Sequence, residues 1–331
     1  MKLRPALWFS ILPLACAVAV ALAPTPVRAD GVPSFVLAWG AVGAGDGEFD
    51  RIAGITVDPD GYVYVADSDL ARIQKFTANG QFVLSWGFGT FELDRPIGLA
   101  CDKHGHIYVA DFFGGQILRY DTQGGLQAAW GDLGHGPGQF DHPIDVEIEP
   151  DGNVLVVDQF NNRLQRFTPD GELLAMIGSK GSSDTSFDHP FGVAVDPDGN
   201  IYVADQNNHR IQKLDHDGHF LTRWGTAGTG PGQFNPPGSP TGIAIDGDRT
   251  IYVVDTFGYR VELFSDTGVF GGEFGSFGNT DGLFQLPVNI AVSSDFAIYV
   301  GDVYNHKVEK FVAKHTPVVA STWGRLKNRY R

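Results

Sequence analysis

An apolar strand ending in Asp recurs six times along this chain: Tyr64-Val65-Ala66-Asp67, Tyr108-Val109-Ala110-Asp111, Val156-Val157-Asp158, Tyr202-Val203-Ala204-Asp205, Tyr252-Val253-Val254-Asp255 and Tyr299-Val300-Gly301-Asp302. The anchor aspartates are spaced by 44, 47, 47, 50 and 47 residues. A unit of this size cannot bury its apolar surface alone, so the copies must pack on one another. The 331 residues therefore form one repeat domain rather than two average ones.

Other features keep phase with the anchors. Nine residues before them stand Asp58, Asp102, Glu149, Asp196, Asp246 and Ser293, each closing an earlier strand. Turns such as Asp196-Pro197-Asp198-Gly199 lie between the two strands and suit a tight hairpin. Five residues after the anchors, Arg72, Gln116, Arg163, Arg210, Arg260 and Lys307 begin a third strand. A fourth ends on a large apolar residue before Gly, as in Trp86-Gly87 and Trp224-Gly225. Four short antiparallel strands per unit and no helical period predict an all-β, six-bladed propeller. Phe35 to Trp39 copies Phe82 to Trp86, so the N-terminal strand is expected to complete the last blade and close the ring; the competing segment, Val318 to Trp323, begins next to Pro317.

The pattern from Pro190 to Leu214, with Gly192-Val193-Ala194-Val195-Asp196, Ile201-Tyr202-Val203-Ala204-Asp205 and Arg210-Ile211-Gln212-Lys213-Leu214, resembles the NHL repeat. The resemblance covers residues 33 to about 312 and implies a six-bladed propeller. It does not imply one activity, because propellers of this kind serve as binding platforms, extracellular sensors and, in one branch, a lyase.

Residues 1–29 read as an export signal, with Lys2 and Arg4 before the apolar run Ala6 to Ala23 and Val27-Arg28-Ala29 at its end. The expected organisation is a signal peptide over 1–29, the propeller over 30–312 and a basic tail over 313–331, in a secreted, periplasmic or cell-envelope monomer. Membrane attachment would require the signal to stay uncleaved. Cys101 alone would survive cleavage, which excludes an internal disulfide. A net charge of −15 argues against nucleic acid as partner.

Groups repeated in every blade at fixed phase read as framework. The anchor aspartates and the basic residues after them are expected to clasp the loop between second and third strands, and Phe49, Phe91, Phe140, Phe187, Phe234 and Phe284 to plug the inter-blade loops. Function is sought where one blade departs from the rest. Inner strands begin with Gly54, Gly98, Asp145, Gly192, Gly242 and Asn289, and two positions on carry Thr56, Ala100, Glu147, Ala194, Ala244 and Ala291. Blade 3 alone is acidic at both, and blade 6 lies opposite. Asp145, Glu147 and Asn289 are thus a candidate site for a hard cation such as Ca²⁺. The second departure is the aromatic and amide character of the loops after the anchors. Phe112, Phe113, Phe160, His209, Phe257, Tyr259, Tyr304 and His306 are candidates for binding a protein, peptide or glycan ligand.

The family's lyase branch implies zinc held by His directly after the Pro that opens an inner strand. Here Ile97, Ile144, Phe191, Thr241 and Val288 occupy those positions, and His142 and His189 lie on the other side of the proline. Tyr304 matches the branch's catalytic Tyr, but its Arg, one residue after the anchor, is absent. The expectation is a binding or scaffold propeller without catalytic residues. The alternative is a metal-dependent lyase or lactonase-like hydrolase using the channel.

Overall fold

The computed structural model describes residues 31–87 and 93–313. The proposed leader, Phe91, and the tail beyond Ala313 with Val318–Trp323 lie outside the described residues. Six four-stranded antiparallel sheets form the domain, and five of them run in chain order from an inner to an outer strand. Blade 3 is typical: Pro143–Ile148, Val154–Asp158, Arg163–Phe167 and Leu173–Ile177. In blade 6 the outer place is taken by Ser34–Trp39, paired antiparallel with Lys307–Val312. The ring is closed by the N-terminal strand, as the copy of Phe82 to Trp86 predicts.

The alternation of the strands explains where the core sits. Second strands are buried on both faces, as in Val154–Asp158, because each blade packs between two neighbours. Outer strands alternate, with Leu174 and Met176 turned to solvent. Each hydrophobic cluster joins adjacent blades; one combines Ile144, Leu155, Val157 and Leu164 of blade 3 with Val193, Ile201, Val203 and Leu214 of blade 4. Phe187 plugs that junction fully buried, and Phe49, Phe140, Phe234 and Phe284 do so at others. At five of the six junctions the glycine after the outer strand makes room for the plug: at Gly225, with φ +96°, a Cβ would lie 2.5 Å from the Phe234 ring.

Five of the six expected clasps form; in the sixth blade Lys307 reaches the Asn279 carbonyl, at 3.5 Å, instead of Asp302. Asp67, Asp158, Asp205 and Asp255 accept from Arg72, Arg163, Arg210 and Arg260 at 3.0, 2.7, 2.7 and 3.1 Å. Gln116 reaches Asp111 at 3.4 Å. Each arginine also donates to carbonyls of the inter-blade loop, as Arg210 does to Ser182, Ser183 and Ser186. The second oxygen of each anchor holds the residue that leads into its own inner strand, as Asp67 holds the Arg51 N–H. The backbone of the loop face is therefore anchored on buried polar and ionic groups.

Candidate functional site

Two regions of the hub depart from the repeated framework. The first is a cavity of about 220 Å³ inside the channel, walled by Ile, Val, Leu and Ala of the inner strands, into which Thr56, Asp145, Glu147 and Asn289 bring polar atoms. The structure thus gathers all three candidate cation ligands around one space. One oxygen of each accepts a backbone N–H. Asp145 Oδ2 accepts from Val193 N at 3.0 Å, Glu147 Oε1 from Ile148 N at 3.1 Å and Asn289 Oδ1 from Ile290 N at 2.7 Å.

The hub glycines explain this geometry. A Cβ at Gly98 would lie 2.4 Å from Asp145 Cα, at Gly54 1.9 Å from the Ile97 carbonyl oxygen, and at Gly242 2.8 Å from Asn289 Cα. Side chains at this position therefore point sideways onto the next inner strand, and glycine lets those strands touch. Asp145 and Asn289 are wedges at the two seams where glycine is missing. Asp145 leans across its seam onto the Val193 amide of blade 4, whereas Asn289 bonds the next amide of its own strand. Burial pushes the Asp145 carboxyl up to about 7 despite the Val193 and Val146 amides. Glu147 is pushed up to about 8 by burial and then by the neighbouring Asp145 charge. A Ca²⁺ ion takes six to eight oxygens, and these residues do not supply that shell.

The second region is the mouth of the channel on the loop face. An apolar cup of about 200 Å³ has a floor made by one residue from each of five blades: Ala53, Ile97, Ile144, Phe191 and Val288. These include the positions at which the lyase branch would carry zinc ligands, and here they are hydrocarbon. Thr241, the blade 5 equivalent, is buried and bonded through its hydroxyl to Thr256 at 2.7 Å. Phe112, Val303, Arg51 and Arg95 complete the wall.

From Phe112 a row of rings runs outward over blades 2 to 4. Phe112 lies 5.3 Å from Phe113 and 4.5 Å from His142; His142 lies 4.6 Å from Phe160, which lies 5.4 Å from His189. Phe113 and Phe160 remain 43% and 42% exposed. Each imidazole is fixed by the preceding carboxylate, His142 Nδ1 by Asp141 at 2.6 Å and His189 Nδ1 by Asp188 at 2.8 Å. Burial raises the Asp188 carboxyl, but the bonds from His189 and Asn207 outweigh it and leave it below its ordinary value.

The other loop candidates stand apart from this row. His209 Nδ1 is bonded to the Ser239 carbonyl and His306 Nδ1 to the Phe49 carbonyl, so each ties its loop to the next blade. His209, Tyr259 and His306 hold φ of +51°, +58° and +51° at equivalent turn positions, which the chain needs to enter the third strand. Tyr259 packs on Phe277 at 4.9 Å, and the Phe257 ring covers Gly238. Tyr304 is 62% exposed.

Of the residues one place before the proline that opens an inner strand, or its equivalent, sequence reasoning weighed only His142 and His189. In ring order the six are Arg51, Arg95, His142, His189, Ser239 and Leu286. Four consecutive blades carry a guanidinium or imidazole there, a departure that the same phase counting would have exposed.

The NHL repeat family matches residues 49–76 and 187–214. No curated protein matches the sequence. Among solved structures the chain is similar to a streptogramin B lyase, with 15% identity over 80% of this chain and 93% of that one and a TM-score of 0.59. It is similar to virginiamycin B lyase from Staphylococcus aureus, with 17% identity, coverage of 80% and 96% and a TM-score of 0.57. A gluconolactonase from Xanthomonas campestris gives 16% identity, coverage of 80% and 86% and a TM-score of 0.59. Likeness at these identities carries the architecture and no activity. The chain is a six-bladed β-propeller with NHL repeats.

Proposed function

We propose that this is an exported binding propeller that takes a peptide or protein segment on its loop face, without catalysis of its own. The observation that carries the reading is the exposed row from Phe113 to His189, which begins at an apolar cup. Exposed rings and aliphatic groups clustered on one face are what protein-binding surfaces present. Leu133, Phe277 and Tyr304, at 58%, 65% and 62% exposure, extend the same face. Selection of random peptides on the immobilised protein tests this. Enriched peptides should lose binding to a Phe113→Ser/Phe160→Ser variant that melts like the parent. Peptides that bind both proteins equally remove the reading, as does a selection that enriches nothing.

A second reading places metal-dependent lyase or hydrolase chemistry in the channel. It draws on the raised carboxyls of Asp145 and Glu147, whose repulsion a divalent cation would relieve. It requires Ca²⁺ to raise the melting temperature at pH 8 and to lose that effect in Glu147→Gln. No rise in the parent protein discards it.

A further inference from the structure

Resting on the loop-face reading, we propose that the cup at the channel mouth captures the carboxylate of an apolar acid, with the hydrocarbon on the floor and the anion on Arg51 and Arg95. The body of this protein is acidic, yet two guanidiniums line the same small apolar cup. Arg51 has no ion-pair partner among the described residues. Arg95 is paired with Asp69 at 2.9 Å, but both side chains are partly exposed, at 27% and 40%, so water competes with that pair and a ligand can replace it. Arg95 also lies over the Phe113 ring at 5.1 Å, which ties the charged wall to the aromatic row. Asp50 and Asp94, next to the two arginines in sequence, are exposed.

The chemistry follows from this combination. A guanidinium offers paired N–H donors that match a carboxylate, and its attraction strengthens where hydrocarbon keeps water away. A cationic ligand would meet both arginines. A phosphate-rich polymer would meet the acidic body and gain nothing from a floor of Ile97, Ile144 and Phe191. An apolar carboxylate satisfies both halves of the cup. Such a group occurs on a free aryl or alkyl acid and at the C-terminus of a peptide ending in an apolar residue. In the second case the preceding residues would lie along Phe112, His142 and Phe160.

The test is titration calorimetry with 3-phenylpropionate and with N-acetylglycyl-phenylalanine bearing a free carboxylate, each beside its primary amide. Both acids should bind at least about tenfold more tightly than their amides, and Arg51→Gln/Arg95→Gln should abolish the difference. A tighter peptide acid identifies a chain terminus as the source; equal affinities identify the free acid. Amides that bind as well as acids, a preference that survives in the double variant, or no saturable binding of either acid overturns the proposal. If the double variant loses its fold, Ile97→Glu, which places a fixed anion in the cup, must remove acid binding instead. The loop-face reading fails separately: selected peptides indifferent to Phe113 and Phe160 end it, whereas acid and amide binding alike ends only this proposal.

Discussion

The carboxylate of Asp145 crosses the seam between blades 3 and 4 and accepts the backbone N–H of Val193 at 3.0 Å. One inner strand is thereby tied to the next by a group that is both a wedge and an acid. Its proton matters because the wall of the cavity is hydrocarbon, and so does the proton on Glu147.

Stability should therefore fall with rising pH. Unfolded Asp and Glu titrate near 3.9 and 4.3, roughly, whereas the folded groups stand at about 7 and about 8. Between these limits the folded protein holds protons that the unfolded chain has released. Their stabilising contribution is complete below about pH 4 and is lost as pH rises through the folded values. Asp145→Asn keeps an acceptor for Val193 and removes the acid. It should flatten the profile and gain on the order of a few kcal/mol at pH 8, with little change at pH 4. Urea denaturation at both pH values measures this; parallel profiles for parent and variant would contradict it.

A similar argument applies to Glu309. Blades 1, 3 and 4 carry buried Gln74, Gln165 and Gln212 at this position, and Gln165 accepts from Gly138 N while donating to the Gln139 carbonyl. Glu309 keeps the first bond, from Gly282 N at 2.8 Å, but its Oε1 is buried without a hydrogen-bond partner. Burial pushes its carboxyl up to about 7. Glu309→Gln restores the donor and should stabilise by about 1–3 kcal/mol at pH 8 and by less at pH 5. Equal effects at the two pH values would show that protonation is not involved.

The clasps make a sharper contrast. Asp205 is fully buried and serves Arg210, Gln212, Asn208 and the Asp188 N–H. Asp205→Ala leaves a buried guanidinium unpaired and should cost about 3–5 kcal/mol. Asp184→Ala removes the exposed pair with Arg223, 2.7 Å apart, and should cost less than about 1 kcal/mol. Equilibrium unfolding of the two variants side by side decides whether the anchors are structural.

At the hub, Gly98→Ala should destabilise strongly, because the added methyl meets the Asp145 backbone rather than a movable side chain. A cost of about 1–3 kcal/mol or more is expected. A melting temperature equal to the parent's would mean that the inner strands are not in contact there.

Much of this was legible in the sequence. Anchor spacing gave the blade number, and the copy of Phe82 to Trp86 at Phe35 to Trp39 gave the closing strand. Comparing blades singled out Asp145, Glu147 and Asn289 as the unusual hub residues. The group that Asp145 engages was not legible, because its bond to Val193 crosses from one blade to the next. Among the loop residues, His209, Tyr259 and His306 were chosen for side-chain chemistry, whereas a left-handed turn also needs a residue at those places. Contacts such as Phe112 on His142 and Phe160 on His189 join different blades, and no spacing within one repeat encodes them.

Ser34 pairs with Val312, so the first and last strands of the described domain start and finish side by side on the hairpin side of the wheel, away from Phe113 and the cup. A tether joined directly at Ser34 or Val312 would therefore hold the disc by its back and aim the aromatic row outward. Fusion partners, surface-immobilisation tags and envelope anchors attached there leave the front unobstructed, whichever end carries them.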